Sequence, residues 1–192
     1  PKGELVITAP VMFGRLYVLP IVTEFLSLYS SINVQLILSD GNINLFDNDV
    51  DMAVRIGALP NSSMIATQVG EIRVVTCASP SILAAHKTLK TPADLTHYPC
   101  ISLNTAMTTP PWSYLVPDST IAFNVNISSR LTITDSKSAV TAAINSVGVT
   151  QQLHYQVKDA LEQGALEVIL AEFEPAKVPV HLLHKSRKYM PQ

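Results

Sequence analysis

Only a few side chains in this sequence have the types and spacing that metal-dependent or nucleophilic chemistry needs. The run Asp47-x-Asp49-x-Asp51 imitates the first ligands of a calcium-binding loop. Met52 stands where such a loop has glycine, however, and Ala58 stands where it has its final glutamate. A solvated turn explains this run better than a calcium site.

The histidine and cysteine residues offer no stronger constellation. His181 and His184 are three residues apart in a predicted strand, so we expect their side chains on opposite faces, where they cannot share a metal ion. Cys77 and Cys100 show no C-x-x-C spacing, and nothing in the sequence orients His97 as a base for Cys100. We therefore expect two buried free thiols, no metal and no cofactor.

The familiar catalytic and phosphate-binding motifs are absent from the sequence. It contains no G-x-G-x-x-G, G-x-x-x-x-G-K-[ST], H-E-x-x-H or G-x-S-x-G. An enzyme that uses Cys100 or a histidine is an alternative, and turnover abolished by Cys100→Ser would support it. The expectation is that the chain is not an enzyme.

The composition narrows the class of protein further. Among 192 residues, 13 Lys+Arg stand against 15 Asp+Glu for a net charge of −2, and 47% of the residues are hydrophobic. A disordered tail would need low hydrophobicity, and a nucleic-acid surface would need a basic excess. The unbroken apolar stretches fall far below the roughly 18 residues of a membrane span. The composition therefore predicts a globular domain that binds neither nucleic acid nor membrane by itself.

The first third of the chain alternates strands and helices. Apolar runs predict strands over residues 4–8, 34–38 and 52–56. One-sided periodicity predicts a helix over residues 18–30 and a weaker helix over 44–48. This β-α-β-α-β order is typical of a parallel sheet with helices on its faces.

The rest of the chain mixes strands and helices, with turn residues at their borders. Two strands are predicted on either side of Gly70, followed later by a loop over residues 105–117 and a pair of strands over 121–134. A helix is predicted to begin at Asp135 and to end near Gly148 as its capping glycine.

Polar residues follow several of the predicted strands. In an open parallel sheet, ligands bind beyond the carboxyl ends of the strands, where helix N-termini offer N–H groups to an anion. Such positions are residues 8–11, 39–42, 55–57 and 134–136. Any one of them alone could be a cap or a turn, but together they outline a cleft between two lobes.

Several ordered segments closely resemble the effector-binding domain of LysR-type transcriptional regulators. They are LVITAP at 5–10, FGRL at 13–16, LSD at 38–40, DMAVRIG at 51–57, CASP at 77–80 and TPADL at 91–95. The similarity continues through Asp135 and Gly148 to VPVH at 178–181 and thus covers essentially the whole chain.

The resemblance implies an α/β, periplasmic-binding-protein-like fold of two Rossmann-like subdomains joined by crossing strands. It places residues 1–76 and 177–192 in subdomain I and residues 77–176 in subdomain II. A small organic anion or metabolite would bind in the cleft between the lobes. The winged helix-turn-helix of the family would lie outside this sequence, and DNA would be bound only through it.

The expected effector-binding residues lie at strand ends. They are Thr8, Pro10, Val11, Gly41, Arg55, Leu103, Asn104, Thr134 and Asp135. Arg55 could instead hold Asp51 or a contact between the lobes. After Gly148 this chain carries the polar stretch 150–154, where relatives usually continue with an apolar strand and a proline, and this departure points to a different ligand or none.

The leading hypothesis is therefore the effector-sensing domain of a cytoplasmic LysR-type transcriptional regulator. The alternative is a soluble solute-binding protein of a transport system, which would carry an upstream secretory signal instead of a helix-turn-helix. The apolar surplus predicts a subunit interface along residues 18–30 and 33–38. The resemblance implies a homodimer of this domain and a tetramer of the full-length protein.

Overall fold

The computed structural model describes residues 2–41, 50–59, 64–86, 89–104 and 111–184. The helix predicted over residues 44–48 lies outside these ranges, as do Asp47 and Asp49 of the calcium-like run.

The described residues form short strands and helices in alternation. The strands are β1 (Gly3–Ala9), β2 (Ile32–Leu38), β3 (Met52–Ile56), β4 (Ile65–Ile72), β5 (Val74–Ala78), β6 (Cys100–Leu103), β7 (Trp112–Leu115), β8 (Ala122–Val125), β9 (Ser129–Ile133), β10 (Val149–Leu153), β11 (Glu167–Ile169) and β12 (Val178–His184). The α-helices are α1 (Val11–Phe13), α2 (Leu19–Leu28), α3 (Pro80–Ala85), α4 (Ser136–Ile144) and α5 (His154–Glu162). A π-helical turn, Gly14–Val18, joins α1 to α2, and two 3-10 helices span Pro92–His97 and Ala171–Phe173.

The chain divides into two compact units. The first comprises Pro1–Glu71 and Val178–Gln192, and the second comprises Ile72–Lys177. The boundary expected after residue 76 falls inside β5, whose hydrogen-bonded neighbours β10 and β11 both belong to the second unit. The second unit is therefore one continuous piece of chain inserted into the first.

The first unit holds a sheet with the strand order β2-β1-β3-β12-β4. β1 is parallel to β2 and to β3, as the strand-helix alternation predicts, and β12 is antiparallel to β3. One face of the sheet carries the core residues Val50, Ala53 and Leu183. On the other face Gly14 packs closely, because a Cβ there would meet the Leu38 side chain and the Ala9 side chain.

The helical stretch Val11–Leu28 leaves most of its apolar side chains exposed. Ile21 and Leu28 are 67% and 70% exposed. In the part of the chain that the structure describes, this is the one helix long and apolar enough, by length and composition alone, to cross a membrane. A search for unbroken apolar runs misses it because Arg15 and Glu24 interrupt the run. An exposed apolar surface of this kind is typical of a site of protein association.

The second unit holds a sheet with the strand order β11-β5-β10-β6-β9, and side chains cover both of its faces. One face packs against α4 and α5 through Val75, Ile101 and Val157. The other face packs against Leu95 and against Tyr114, which lies in the hairpin that β7 forms with β8. Burial on both faces explains why the strands β5 and β6 read as apolar runs in the sequence.

Three of the predicted elements differ from the structure. Trp112 was expected in a loop but lies in β7. The two strands predicted over residues 121–134 exist, but they do not pair with each other, because β8 pairs with β7 and β9 pairs with β6. The break expected at Gly70 lies at Arg73, between β4 and β5. Alternation of apolar and polar residues predicts that a segment is a strand. It does not predict which strand it pairs with, because pairing depends on packing between residues far apart in sequence.

Gly148 does not end a helix, as the sequence suggested. The C-cap of α4 is Asn145, and the left-handed backbone position that follows it is Ser146, with φ 60°. Gly148 lies instead against the backbone of Pro99, where a Cβ would meet the carbonyl oxygen and lie 2.8 Å from the carbonyl carbon. Glycine is therefore required there by the close approach of two strands.

Candidate functional site

The predicted residues of the first unit cluster at the carboxyl ends of β1 and β2. Thr8 lies beside Ile37 in the parallel register, and Pro10 and Val11 follow β1 directly. The Val11 N–H donates to Oδ1 of Asp40 at 2.9 Å, and the Gly41 N–H donates to Oγ of Ser39 at 3.2 Å. The structure thus brings Thr8, Pro10, Val11 and Gly41 together at one edge of the sheet.

Asp40 caps the helical stretch at this edge of the sheet, although it was not among the expected site residues. Its carboxylate accepts the N–H of the first residue of α1, so it joins the end of β2 to the start of the helical stretch. Helix N-termini attract anions because their N–H groups lack partners. Here an internal carboxylate already occupies the first of these groups.

Thr8 is buried at this edge of the sheet, and Arg55, near the end of β3, is half-buried. Thr8 is fully buried and its Oγ1 has no hydrogen-bond partner. Arg55 donates from Nη1 to the Val54 carbonyl at 2.9 Å, but its Nη2 is buried without a partner. Burial lowers the pKa of the Arg55 guanidinium. Asp51, considered above as its partner, accepts the Val6 N–H at 3.0 Å.

The predicted residues of the second unit lie together at the carboxyl ends of β6 and β9. Leu103 is the register partner of Ile133, and the Asn104 N–H donates to the Ile133 carbonyl at 2.7 Å. Thr134 and Asp135 follow β9 immediately. Leu103, Asn104, Thr134 and Asp135 therefore form a second group, which lies within its own unit.

Asp135 is the N-cap of α4. Its Oδ2 accepts the Ser138 N–H at 2.7 Å, and hydrogen bonds from Ser138 hold the pKa of Asp135 below its ordinary value. The carboxylate is thus ionised near neutral pH and neutralises the positive end of the helix dipole. The exposed Thr134 hydroxyl and the half-buried Asn104 amide are suited to hydrogen bonds with the uncharged part of a ligand.

Two buried polar side chains, Thr150 and Gln152, lie on β10 beside this second group. Gln152 is 2% exposed and donates from Nε2 to Oγ1 of Thr150 at 2.8 Å, while its Oε1 has no partner. Thr150 is the register partner of Ile101, so Gln152 comes level with Leu103. The polar stretch after Gly148 was the sequence signal for these side chains, although none of them was included among the site residues.

Metal and nucleophile chemistry finds no support in the described residues. Among them no group of three or more His, Cys, Asp and Glu residues could hold a metal ion. His181 and His184 lie on opposite faces of β12, since His181 pairs with Arg55 and His184 with Met52. Burial raises the pKa of Cys77 and of Cys100 to about 12, so both are protonated thiols and poor nucleophiles.

A surface pocket of about 620 Å³ lies in the second unit, away from the predicted residues. Its lining includes the acidic side chains Asp118, Glu172 and Glu174. Glu174 forms a bidentate ion pair with Arg73. Nε of Arg73 donates to Oε2 at 2.9 Å, and Nη2 donates to Oε1 at 2.7 Å. This ion pair joins the first and last segments of the second unit.

The two α/β units, the second inserted into the first and each with polar groups at the carboxyl edge of its sheet, define a fold of the periplasmic-binding-protein type. The model of the LysR substrate binding domain matches residues 1–192. The chain belongs to the LysR substrate binding domain family.

The similar proteins of known sequence are bacterial transcriptional regulators. An uncharacterized HTH-type transcriptional regulator of Haemophilus influenzae is 26% identical over 190 residues, which cover 99% of this chain and 65% of that protein. The HTH-type regulator YhjC of Escherichia coli is 26% identical over 187 residues, covering 97% of this chain and 62% of YhjC. The chain thus spans less than two thirds of the length of these relatives, and neither is described as an enzyme or a transport protein.

Solved structures share the fold. Full-length AphB of Vibrio cholerae, a virulence activator, superposes with a TM-score of 0.85 at 20% identity, over 99% of this chain and 64% of AphB. The regulatory domain of CrgA of Neisseria meningitidis gives a TM-score of 0.81 at 24% identity, over 100% of this chain and 93% of that domain. The periplasmic-binding-protein-like fold expected from the sequence is confirmed, and so is the family.

Proposed function

We propose that this chain senses a small organic anion for a LysR-type transcriptional regulator. The observation that carries the proposal is the position of the nine predicted residues, which fall into two groups, each at the carboxyl edge of one sheet. Effector binding would act by stabilising one of two conformational states of the regulator. A ligand with equal affinity for both states would leave their populations unchanged. A transport protein is not favoured, because the relatives of this chain are regulators.

Several parts of the proposal concern the complete protein. Residues 1–76 with 177–192 would form subdomain I, and residues 77–176 would form subdomain II. In the structure the chain passes from one unit to the other close to these bounds. DNA would be bound by a helix-turn-helix region outside the present sequence, which is supported by the HTH designation of the relatives. A regulator that acts on DNA would work in the cytoplasm.

A thermal-shift screen of small metabolites tests effector binding. We expect hits that raise the unfolding temperature of the unmodified domain, and we expect Thr8→Val to weaken them about 3- to 10-fold because a hydrogen bond contributes about 0.5–1.5 kcal/mol. Since Oγ1 of Thr8 has no partner within the protein, this isosteric change should leave the fold intact. Loss of binding therefore reports on the ligand.

Two further variants sharpen the screen. Asp135→Asn keeps a capping oxygen, whereas Asp135→Ala removes it at a cost of about 1 kcal/mol, so the pair separates helix stability from ligand contact. Thr67→Val, on the exposed strand β4, is the matched control. Hits that Thr8→Val, Asp135→Ala and Asp135→Asn all leave unchanged would show that the site lies elsewhere.

We also propose that the domain forms a homodimer through the exposed face of α2 and through β2, and that the full-length protein is a tetramer. Ile21 and Leu28 are seven residues apart and therefore lie on the same side of the helix. Sedimentation should show that Ile21→Glu with Leu28→Glu weakens self-association at least about tenfold, because two charges would be buried without partners. The matched control is Ile65→Glu, an exposed apolar position on β4. A domain that is monomeric at high concentration before any substitution would contradict the proposal.

A further inference from the structure

Three orphaned polar atoms lie on one face of the first sheet. In the part of the chain that the structure describes, the buried side-chain nitrogen and oxygen atoms without a hydrogen-bond partner are Thr8 Oγ1, Arg55 Nη2, Gln152 Oε1 and His181 Nδ1. All but Gln152 belong to the first unit. Buried polar atoms normally have partners, so three orphans in one small sheet indicate a missing interaction.

The strand register places these three atoms on the same side of the sheet. Arg55 on β3 is directly opposite His181 on β12, and directly paired side chains project from the same face with their Cβ atoms about 5 Å apart. Thr8 on β1 is the neighbour of Ala53, two residues before Arg55 on β3. Thr8 therefore lies diagonally from Arg55, within the reach of a long side chain or of a shared small ligand.

The three groups have a common chemistry. A guanidinium can only donate hydrogen bonds, a threonine hydroxyl can donate, and Nδ1 of histidine donates when it carries the proton. Burial lowers the pKa of Arg55, and no acidic group contributes to that shift. Arg55 is half-buried and its Nη2 atom is fully buried without a partner. Withdrawing part of a cation from water without a counter-charge is costly, which favours an anion as the missing partner.

Two helix starts beside the expected site residues already hold carboxylates of the chain itself. Asp40 accepts the N–H at the start of α1, and Asp135 caps α4. Neither helix start can therefore neutralise a ligand. Among the nine expected site residues, Arg55 is the one that carries a positive charge.

We propose that Arg55 and His181 form a cross-strand pair that binds the carboxylate group of the effector, with Thr8 donating a third hydrogen bond. This inference rests on the proposed function and adds to it the chemical class of the bound group and a specificity-determining residue, His181. A carboxylate fits because the planar guanidinium presents parallel N–H groups to its two oxygens. The amide of a neutral analogue, which carries no charge, would leave the buried cation uncompensated.

The test follows the histidine nitrogen signals of the domain by NMR at constant pH. The probes are benzoate and succinate, and the neutral benzamide and succinamide are their matched analogues. We expect the carboxylates to shift the Nδ1 signal of His181 and leave that of His184 in place, because His184 lies on the opposite face of the same strand. The measurement needs no variant, so it does not depend on the folding of an altered protein.

Variants then measure the contribution of each side chain. We expect His181→Gln and Arg55→Lys each to weaken carboxylate binding about tenfold, as is typical for the loss of a charge-assisted hydrogen bond. His184→Gln and Arg15→Lys are the matched controls and should bind as the unmodified domain does. The proposal is overturned if no carboxylate shifts the His181 signal at millimolar concentration, if the amides bind equally well, or if both variants bind normally. Metabolites whose binding depends on Thr8 but not on Arg55 or His181 would leave the proposed function standing and refute this pair alone.

Discussion

Replacing Gly148 with alanine is expected to lower the free energy of unfolding by about 3 kcal/mol, the upper part of the range for overpacked sites. The new Cβ would meet the carbonyl group of Pro99, which is backbone and cannot rotate aside as a side chain could. The Val149 N–H donates to that same carbonyl at 2.8 Å, and the pairing of β10 with β6 begins at Val149. The substitution therefore separates two central strands of the second sheet. Urea unfolding followed by circular dichroism measures the change.

Gly70→Ala provides the matched control for that prediction. Gly70 lies in β4, and no heavy atom is within 4 Å of the position its Cβ would take. Alanine in place of a strand glycine reduces the entropy of the unfolded chain, so stability should be unchanged or rise by up to about 1 kcal/mol. Equal unfolding midpoints for the two variants would contradict the close packing at Gly148.

The second large effect is expected at Tyr114. Its side chain is fully buried, and its hydroxyl forms a 2.9 Å hydrogen bond with Oγ1 of Thr76 on β5. Tyr114→Ala should cost about 4 kcal/mol, as is typical for truncating a buried aromatic residue, because the hairpin of β7 and β8 loses a fully buried side chain from the core that it shares with the second sheet. Tyr114→Phe should cost only about 1 kcal/mol, because it keeps the ring and leaves Thr76 without its partner.

A double-mutant cycle checks the origin of the smaller effect. Thr76→Val should destabilise the domain on its own, but together with Tyr114→Phe it should cost less than the sum of the two single changes, because neither polar group is then left unpaired. Additive effects would mean that the hydrogen bond contributes nothing to stability. A Tyr114→Ala protein as stable as Tyr114→Phe would show that the hairpin does not depend on this ring.

Local patterns predicted three strands of the first sheet, β1, β2 and β3, but not the places of β4 and β12 in it. The strands follow from alternating apolar runs, and their parallel pairing follows from the connections. The same patterns failed for β7 and β8, because the contact between Tyr114 and Thr76 that holds this hairpin joins residues far apart in sequence. The prediction that Gly148 caps a helix was wrong for a related reason. Its role depends on Pro99 from another strand rather than on the helix before it.

The grouping of the expected site residues was predictable from the sequence, but their burial and their contacts were not. Polar residues after strands gave the two groups, because parallel strands end at a common edge. Burial of Thr8 and the approach of His181 to Arg55 could not be predicted, since both depend on how β12 returns to the first sheet. The prediction that His181 and His184 lie on opposite faces of their strand is confirmed by the register of β12.

The ion pair between Arg73 and Glu174 has a consequence for how such proteins diversify. Arg73 follows the start of the inserted unit at Ile72, and Glu174 precedes its end at Lys177. The two ends of the inserted unit are therefore joined to each other by this ion pair. Recombination between related genes that exchanges residues 73–177 as one segment would leave β4 and β12 of the recipient whole and would carry Arg73 and Glu174 together.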